Sequence, residues 1–183
     1  MPVEVASGFT LRMLGSKAWF EKMSSFTQIR EATDQDLDGI VRLVIHEEMF
    51  APDQADMVTD VLGDKIFDED VIFIVAAPSV QDEILGFIFA EPRATADRVW
   101  EIVMLVVHSD HAHQGIEVEL LQRIETELTD IDQRLIVIDA SSNSEFDQIR
   151  TLYESEGYDC EGRVRDYWED GDDLLTYRKH LFQ

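Results

Sequence analysis

Residues 105–121, LVVHSDHAHQGIEVELL, set an apolar run, a polar turn and an amphipathic run in direct succession, with Gly115 at the bend. A helix that starts at such a bend leaves its first backbone N–H groups without intrahelical partners, and the aligned peptide dipoles add partial positive charge there. The expected occupant is a phosphate-bearing ligand. The same stretch holds His108, Asp110, His111 and His113, residue types that ligate zinc. Closely spaced ligands of that kind normally come from a fixed helix or turn backed by further ligands elsewhere. Neither a Cys pair nor a His-x-x-x-His accompanies them, so the expectation is a solvated turn and no metal. Asp170, Asp172 and Asp173 lack the twelve-residue loop and closing Glu of a calcium site and read as a hairpin turn.

A bend at Gly115 needs a strand before it and a helix after it, and the flanking periodicities supply both. Residues 28–30 are a short strand. Asp34 is the expected cap of a helix with Leu37, Ile40, Val41 and Val44 on one face, and a second helical pattern uses Met57, Val58, Val61 and Leu62. Apolar runs at 71–77 and 84–90, joined by a loop with Pro78, predict a hairpin, and a third run covers 102–107. Ile116, Leu120, Leu121, Ile124 and Leu128 lay the next helix on the sheet. LIVID (135–139) is another buried strand, and Phe146, Ile149, Leu152 and Tyr153 mark a fourth helix ended by Gly157. Runs at 163–168 and 174–181 then flank an acidic turn as strand, turn, strand. The order β-α-α-β-β-β-α-β-α-β-β predicts an α+β fold: a mixed, largely antiparallel sheet flanked by helices. Residues 1–26 show no sustained period and are expected to be an N-terminal extension, with Met23 as an alternative start, to a domain spanning 27–183.

Taken in register, these segments resemble the Gcn5-related N-acetyltransferase (GNAT) family, which moves the acetyl group of acetyl-CoA to an amine. The family's turn reads Gln/Arg-x-x-Gly-x-Gly/Ala; the matching positions are Ala112, His113, Gln114, Gly115, Ile116 and Glu117, of which only the central Gly115 is kept. Upstream, VHSDHAHQGI (107–116) follows Val-His-Pro-x-Tyr-Arg-Gly-x-Gly-Ile, with Ser109 for the Pro and His111 for the Tyr. Downstream, FDQIRTLYESEGY (146–158) is similar to a pattern ending Arg-x-Phe-Tyr-Glu-x-x-Gly-Tyr, met by Arg150, Tyr153, Glu154, Gly157 and Tyr158. RDYWEDGDDLLTYRKHL (165–181) resembles the closing hairpin Asp-Tyr-Tyr-x-x-Gly-Asp-Asp. The three matches fall in order within residues 28–181.

The resemblance implies the acyl-CoA N-acyltransferase fold, acetyl-CoA as co-substrate and no metal. It implies that the main chain of Ala112, His113, Gln114, Gly115, Ile116, Glu117 and Val118 holds the diphosphate. The backbone of Leu105, Val106 and Val107 would line the pantetheine arm and hold the thioester carbonyl. Tyr153 occupies the position that protonates the leaving thiolate, and a phenol with a pKa near ~10 can donate at neutral pH. Glu101, eleven residues before Ala112, stands where histone-type members keep a general base, acting directly or through water. Each has a plain structural alternative: Tyr153 as one more apolar-face residue, Glu101 as an ordinary strand-end acid. Glu117 replaces a small residue; at ~6 Å from a phosphate, with an effective dielectric of ~20, its carboxylate would cost about 2 to 3 kcal/mol. It is expected to tilt to solvent, favoured in a first helical turn by the dipole. Trp100 and Trp168 read as core or rim packing. Cys160, the only thiol, falls outside the inferred cleft, so direct attack without a covalent intermediate is expected.

Fifteen Lys and Arg against 39 Asp and Glu give a formal charge of -24, which disfavours nucleic acid and anionic membranes and draws cations. A small-molecule amine acceptor fits that field, and the family allows a homodimer. No apolar run approaches the ~20 residues that span a bilayer, and a single cysteine suits a reducing compartment, so a cytoplasmic location is expected. Two other classes remain open. Ala112 and Glu117 motivate a degenerate, non-catalytic domain of the same fold that senses acyl-CoA or binds a protein; the histidine cluster motivates a metal hydrolase.

Overall fold

The computed structural model of the chain describes residues 27–78 and 83–182; the expected extension, 1–26, lies outside them. The elements follow the predicted order: β1 (Thr27–Glu31), α1 (Leu37–His46), α2 (Ala55–Phe67), β2 (Ile72–Pro78), β3 (Gly86–Pro92), β4 (Val99–Val107), α3 (Ile116–Asp130), β5 (Leu135–Ser141), α4 (Asp147–Ser155), β6 (Asp159–Glu169) and β7 (Asp172–His180). One seven-stranded sheet runs β1-β2-β3-β4-β5-β7-β6. Every pairing is antiparallel except β4 with β5. A parallel pair needs a long crossover, and α3 supplies it.

Helices cover both faces, which is why the central strands read as unbroken apolar runs. Alternation along β2 makes the division plain: Ile74 and Ala76 pack with Leu120, Leu121 and Ile124 of α3, while Phe73, Val75 and Ala77 pack with Ile40, Val44, Val58 and Leu62 of α1 and α2. Among the described residues no helix is long and apolar enough to cross a membrane.

Three local expectations are corrected. Asp36, not Asp34, organises the start of the first helical segment: its carboxylate accepts from the Thr33 amide (2.8 Å) and hydroxyl (2.9 Å) and from both terminal nitrogens of Arg30. Burial alone would raise its pKa, but those bonds hold it below the usual carboxylate value. Met57 and Val61 are exposed, because α2 buries a narrow stripe of Val58, Leu62 and Gly63. β4 begins at Val99, so Glu101 is the third residue of its strand and not the first.

Candidate functional site

β4 and β5 pair only from Val99 opposite Leu135 to Ile102 opposite Ile138. Beyond that point β4 stays with β3 as far as Val107 opposite Gly86, and β5 stays with β7 as far as Ser141 opposite Leu174. The register against β3 slips between Phe89 and Ala90, which face Met104 and Ile102 and leave Val103 as an extra residue. A bulge of this kind bends its strand, and here it accompanies the parting of β4 from β5. The outcome is a seam with one free strand edge on each side.

The turn after β4 sits at the mouth of the seam. Gly115 has φ +93°, and a Cβ added there would meet nothing within 4 Å, so its requirement is purely conformational. Gly86 is needed for a different reason. A Cβ there would stand 2.8 Å from the Val106 carbonyl and 3.3 Å from Ile116 Cγ2, so its absence lets the first turn of α3 close on the sheet. Among the described residues, no hydrogen bond engages the amides of Gln114, Gly115, Ile116, Glu117 or Val118; the first helical bond is Glu119 N to Gly115 O at 3.0 Å. Five main-chain donors thus stand without a partner among the described residues, a candidate cradle at the N-terminus of a fifteen-residue helix, where helix ends offer N–H groups to anions.

Beside the cradle opens a cavity of about 650 Å³, within the range that holds a cofactor-sized ligand. Leu105, Val107, Ala112, His113, Gly115, Glu117 and Val118 all line it. Three other expected cofactor residues do not: Val106 and Ile116 are buried in the core, and Gln114 is exposed, its side chain donating to the Asp110 carbonyl at 3.2 Å. The opposite wall, Glu145, Phe146, Gln148, Ile149, Thr151, Leu152 and Ser155, comes from α4 and the turn before it. The apolar spacing of Phe146, Ile149 and Leu152 is visible in the sequence, yet periodicity alone reads it as packing and not as a cleft wall. Among the described residues, no Lys or Arg lines this cavity.

Glu117 does not tilt to solvent. It is half-buried, and its Oε1 accepts from the His113 amide at 3.2 Å. The chain's own carboxylate thus occupies one of the amides beside the cradle, with His113 at φ +63°.

Tyr153 lies in the core with its ring 5.7 Å from that of Tyr177 and 6.0 Å from that of Tyr158. Burial pushes its phenol pKa well up, with a further push from Tyr177. No hydrogen bond among the described residues reaches its hydroxyl, yet no buried polar atom among them is without a partner; the oxygen therefore retains contact with solvent.

Glu101 alternates with Trp100 and Ile102, which face α3, and so lies on the other face of the sheet. Its Oε2 accepts from Arg93 Nε at 2.9 Å, and Arg93 Nη2 reaches Asp139 at 3.5 Å; Asp139 also accepts from Thr176 Oγ1 at 2.7 Å. Arg93 straddles the seam, tying β4 to β5 just where they part. Asp172, expected only as a turn residue, is buried and holds the turn between β5 and α4, accepting from Ser141 Oγ (2.7 Å), the Ser142 amide (3.0 Å) and Asn143 Nδ2 (3.1 Å). Arg150 completes this knot through the carbonyls of Ser141 and Asn143. Trp100 is buried, its indole donating to Gln133 at 3.0 Å, while Trp168 is exposed against Tyr167. Cys160 is exposed on β6, outside the cavity.

The sequence matches the GNAT acetyltransferase domain family over residues 29–181. No match is found among curated proteins. Among solved structures, a GNAT-family protein from Desulfovibrio desulfuricans superposes with a TM-score of 0.75 at 20% identity, covering 85% of this chain and 99% of its own. The ribosomal-protein-S18-alanine N-acetyltransferase of Escherichia coli gives 0.70 at 14% identity, covering 86% and 95%. An aminoglycoside 6'-N-acetyltransferase complexed with coenzyme A gives 0.68 at 18% identity, covering 85% and 98%. At these identities the structural likeness establishes the fold. The family match covers most of the chain, and the chain belongs to the GNAT acetyltransferase family.

Proposed function

We propose that residues 27–183 form an N-acetyltransferase that moves the acetyl group of acetyl-CoA to a primary amine of a small acceptor by direct attack. The observation that carries this reading is the parting of β4 from β5 beside five free amides at the start of α3. The residues fit the co-substrate: the amides of residues 114–118 for its diphosphate, and the free edge of β4 at Leu105, Val106 and Val107 for its pantetheine arm. Bound there, acetyl-CoA would supply a thioester carbonyl whose acetyl group passes to the amine as the C–S bond breaks, with coenzyme A leaving as the thiolate. Glu101, held through Oε2 by Arg93, offers its second carboxylate oxygen to take the ammonium proton, directly or through one water. Tyr153, kept protonated by burial, donates to the sulfur and regains its proton from solvent. The enzymes of similar fold that act on aminoglycosides and on a ribosomal protein's alanine support an amine acceptor, and the charge of -24 supports a cationic one.

Release of coenzyme A across a panel of amines tests the proposal, with Tyr153→Phe as control. A rate unchanged by that substitution removes Tyr153 from the mechanism. Glu117 on the His113 amide favours one other reading, a non-catalytic domain of this fold that senses acyl-CoA poorly or serves as a protein-interaction surface. Thermal-shift titration separates the two, because a ligand held by the native state raises the midpoint with concentration. No shift with millimolar acetyl-CoA, in the wild type or in Glu117→Gly, favours the module.

A further inference from the structure

In the sequence, His108, His111, His113 and Asp110 are candidate metal ligands without a helix to back them. The fold backs only His108. His46 and Glu47 close α1, and His108 follows the last residue of β4. His46 Nε2 lies 3.8 Å and His108 Nδ1 4.0 Å from Glu47 Oε1, and one ligand-capable atom of each lies within 4.8 Å of the others. Those gaps exceed hydrogen-bond lengths. With bonds of about 2.0 to 2.2 Å, the ligands of a tetrahedral site stand roughly 3.4 Å apart, so a shared ion would draw these atoms together by about half an ångström or more. We propose that His46, Glu47 and His108 form a binding site for a divalent cation of the Zn2+ class, two imidazoles and a carboxylate, that fastens α1 to the strand leading into the cradle.

Four further features agree. The rings of His46 and His108 stack at 4.4 Å with an interplanar angle of 26°, which holds the two imidazoles side by side. The Asp110 amide donates to His108 Nδ1 at 3.2 Å, so that nitrogen carries a lone pair and not a proton; a cation would take the lone pair in place of this bond. Glu47 Oε1 is oriented by the Ser109 amide at 2.9 Å, and the His108 amide is anchored on the Leu85 carbonyl at 2.8 Å, the kind of support that fixes ligand direction. Access comes from the exposed edge of His46, with 55% of its side chain open against 16% for His108. His46 and His108 also share the rim of a separate cavity of about 580 Å³ between α1, the start of α2 and the start of β3. Three protein ligands and one open position describe a site completed by water. The site is distinct from the cofactor cleft, and its existence does not depend on the transferase reading.

The test uses full-length protein stripped of metal with a chelator and titrated with Zn2+, followed by calorimetry and by melting temperature, with Co2+ as a spectroscopic probe. The expected result is saturable uptake of one equivalent, a melting point that rises with free metal, and the visible absorption of Co2+ bound by nitrogen ligands. His46→Ala and His108→Ala each weaken uptake by on the order of tenfold or more, whereas His180→Ala, on β7, leaves it unchanged. Because His46 is exposed, its variant keeps the metal-free melting point and stays informative even if His108→Ala unfolds. The absence of stoichiometric uptake at roughly 100 µM free Zn2+, or uptake indifferent to His46→Ala, overturns the proposal.

Discussion

On the α3/α4 face of the seam, free main-chain amides adjoin a cavity walled by apolar, polar and acidic side chains, with no Lys or Arg among the described residues; on the opposite face the charged side chains of Arg93, Glu101 and Asp139 are linked to one another. Amides persist whatever residue carries them, so the proposed diphosphate contacts do not depend on the side chains of Ala112 and Glu117. Carboxylates and guanidinium groups do not persist, so the proposed function assigns acceptor choice to the second face. The contrast predicts that side-chain changes across the seam alter turnover, and that the cradle responds mainly to changes in backbone conformation or local charge.

The largest effect is expected at Tyr153, the one side chain proposed for chemistry on the cofactor side. Tyr153→Phe removes a proton donor while keeping the ring's packing, and kcat should fall by about 10²-fold or more. The dissociation constant of acetyl-CoA, measured by calorimetry, should stay within about twofold, since binding rests on amides. The raised pKa of the phenol fixes the sign of its pH dependence. The donor form is the protonated one and persists as pH rises through the ordinary tyrosine value, so wild-type kcat should show no alkaline limb from this group below about pH 10.

Glu101→Gln comes next. It removes the proposed proton acceptor and loosens Arg93 from β4, and kcat/KM for the amine should drop by roughly 10- to 100-fold. Coenzyme affinity should be unmoved. A loss of coenzyme affinity in this variant would mean that the two faces are not separate.

Gly115→Val attacks the cradle through its only vulnerable property. At φ +93° a β-branched residue is strained, at a cost of about 1 to 3 kcal/mol. Since nothing lies within 4 Å of the added Cβ, that cost is conformational and not steric. Relief requires the turn to move, so acetyl-CoA affinity should weaken by about tenfold, with a lowered melting point. Gly115→Val binding as tightly as wild type would show that the cradle is not built on this bend.

What the sequence makes legible is what short-range periodicity encodes. The apolar spacing of α1, α3 and α4, the buried strands and the bend at Gly115 all declare themselves within a dozen residues, and the order of elements follows. What it conceals depends on contacts between distant segments. The meeting of His108 with His46 spans 62 positions, the Arg93 to Asp139 contact spans 46, and the knot at Asp172 gathers residues about 30 positions upstream. The extra residue at Val103, which accompanies the opening of the seam, leaves no mark on an apolar run that reads IVMLVV. Glu117 escapes sequence reasoning for a different reason. Helix-dipole reasoning gives its preference for the first turn but not its rotamer, which carries the carboxylate back to the His113 amide four residues earlier.

That rotamer yields the subtlest prediction, and it probes charge on the α3/α4 face. Glu117 must release the His113 amide or share it when a diphosphate arrives, and both groups are negative. Glu117→Gln removes the repulsion while keeping a side chain able to accept the same bond, so acetyl-CoA should bind up to about tenfold tighter. Wild-type affinity should then respond to salt in the sense opposite to most anion sites. With no Lys or Arg lining the cavity among the described residues, Glu117 and Glu145 on its walls and a net charge of -24 around it, added ions screen repulsion more than attraction. Raising NaCl from about 0.05 to 0.5 M shortens the Debye length from roughly 14 to 4 Å, and the dissociation constant measured by calorimetry should fall severalfold. The gain should be smaller in Glu117→Gln, because part of what salt screens has already been removed. If instead salt weakens binding in both proteins, the coenzyme is held by cationic side chains, and the main-chain account of this face fails.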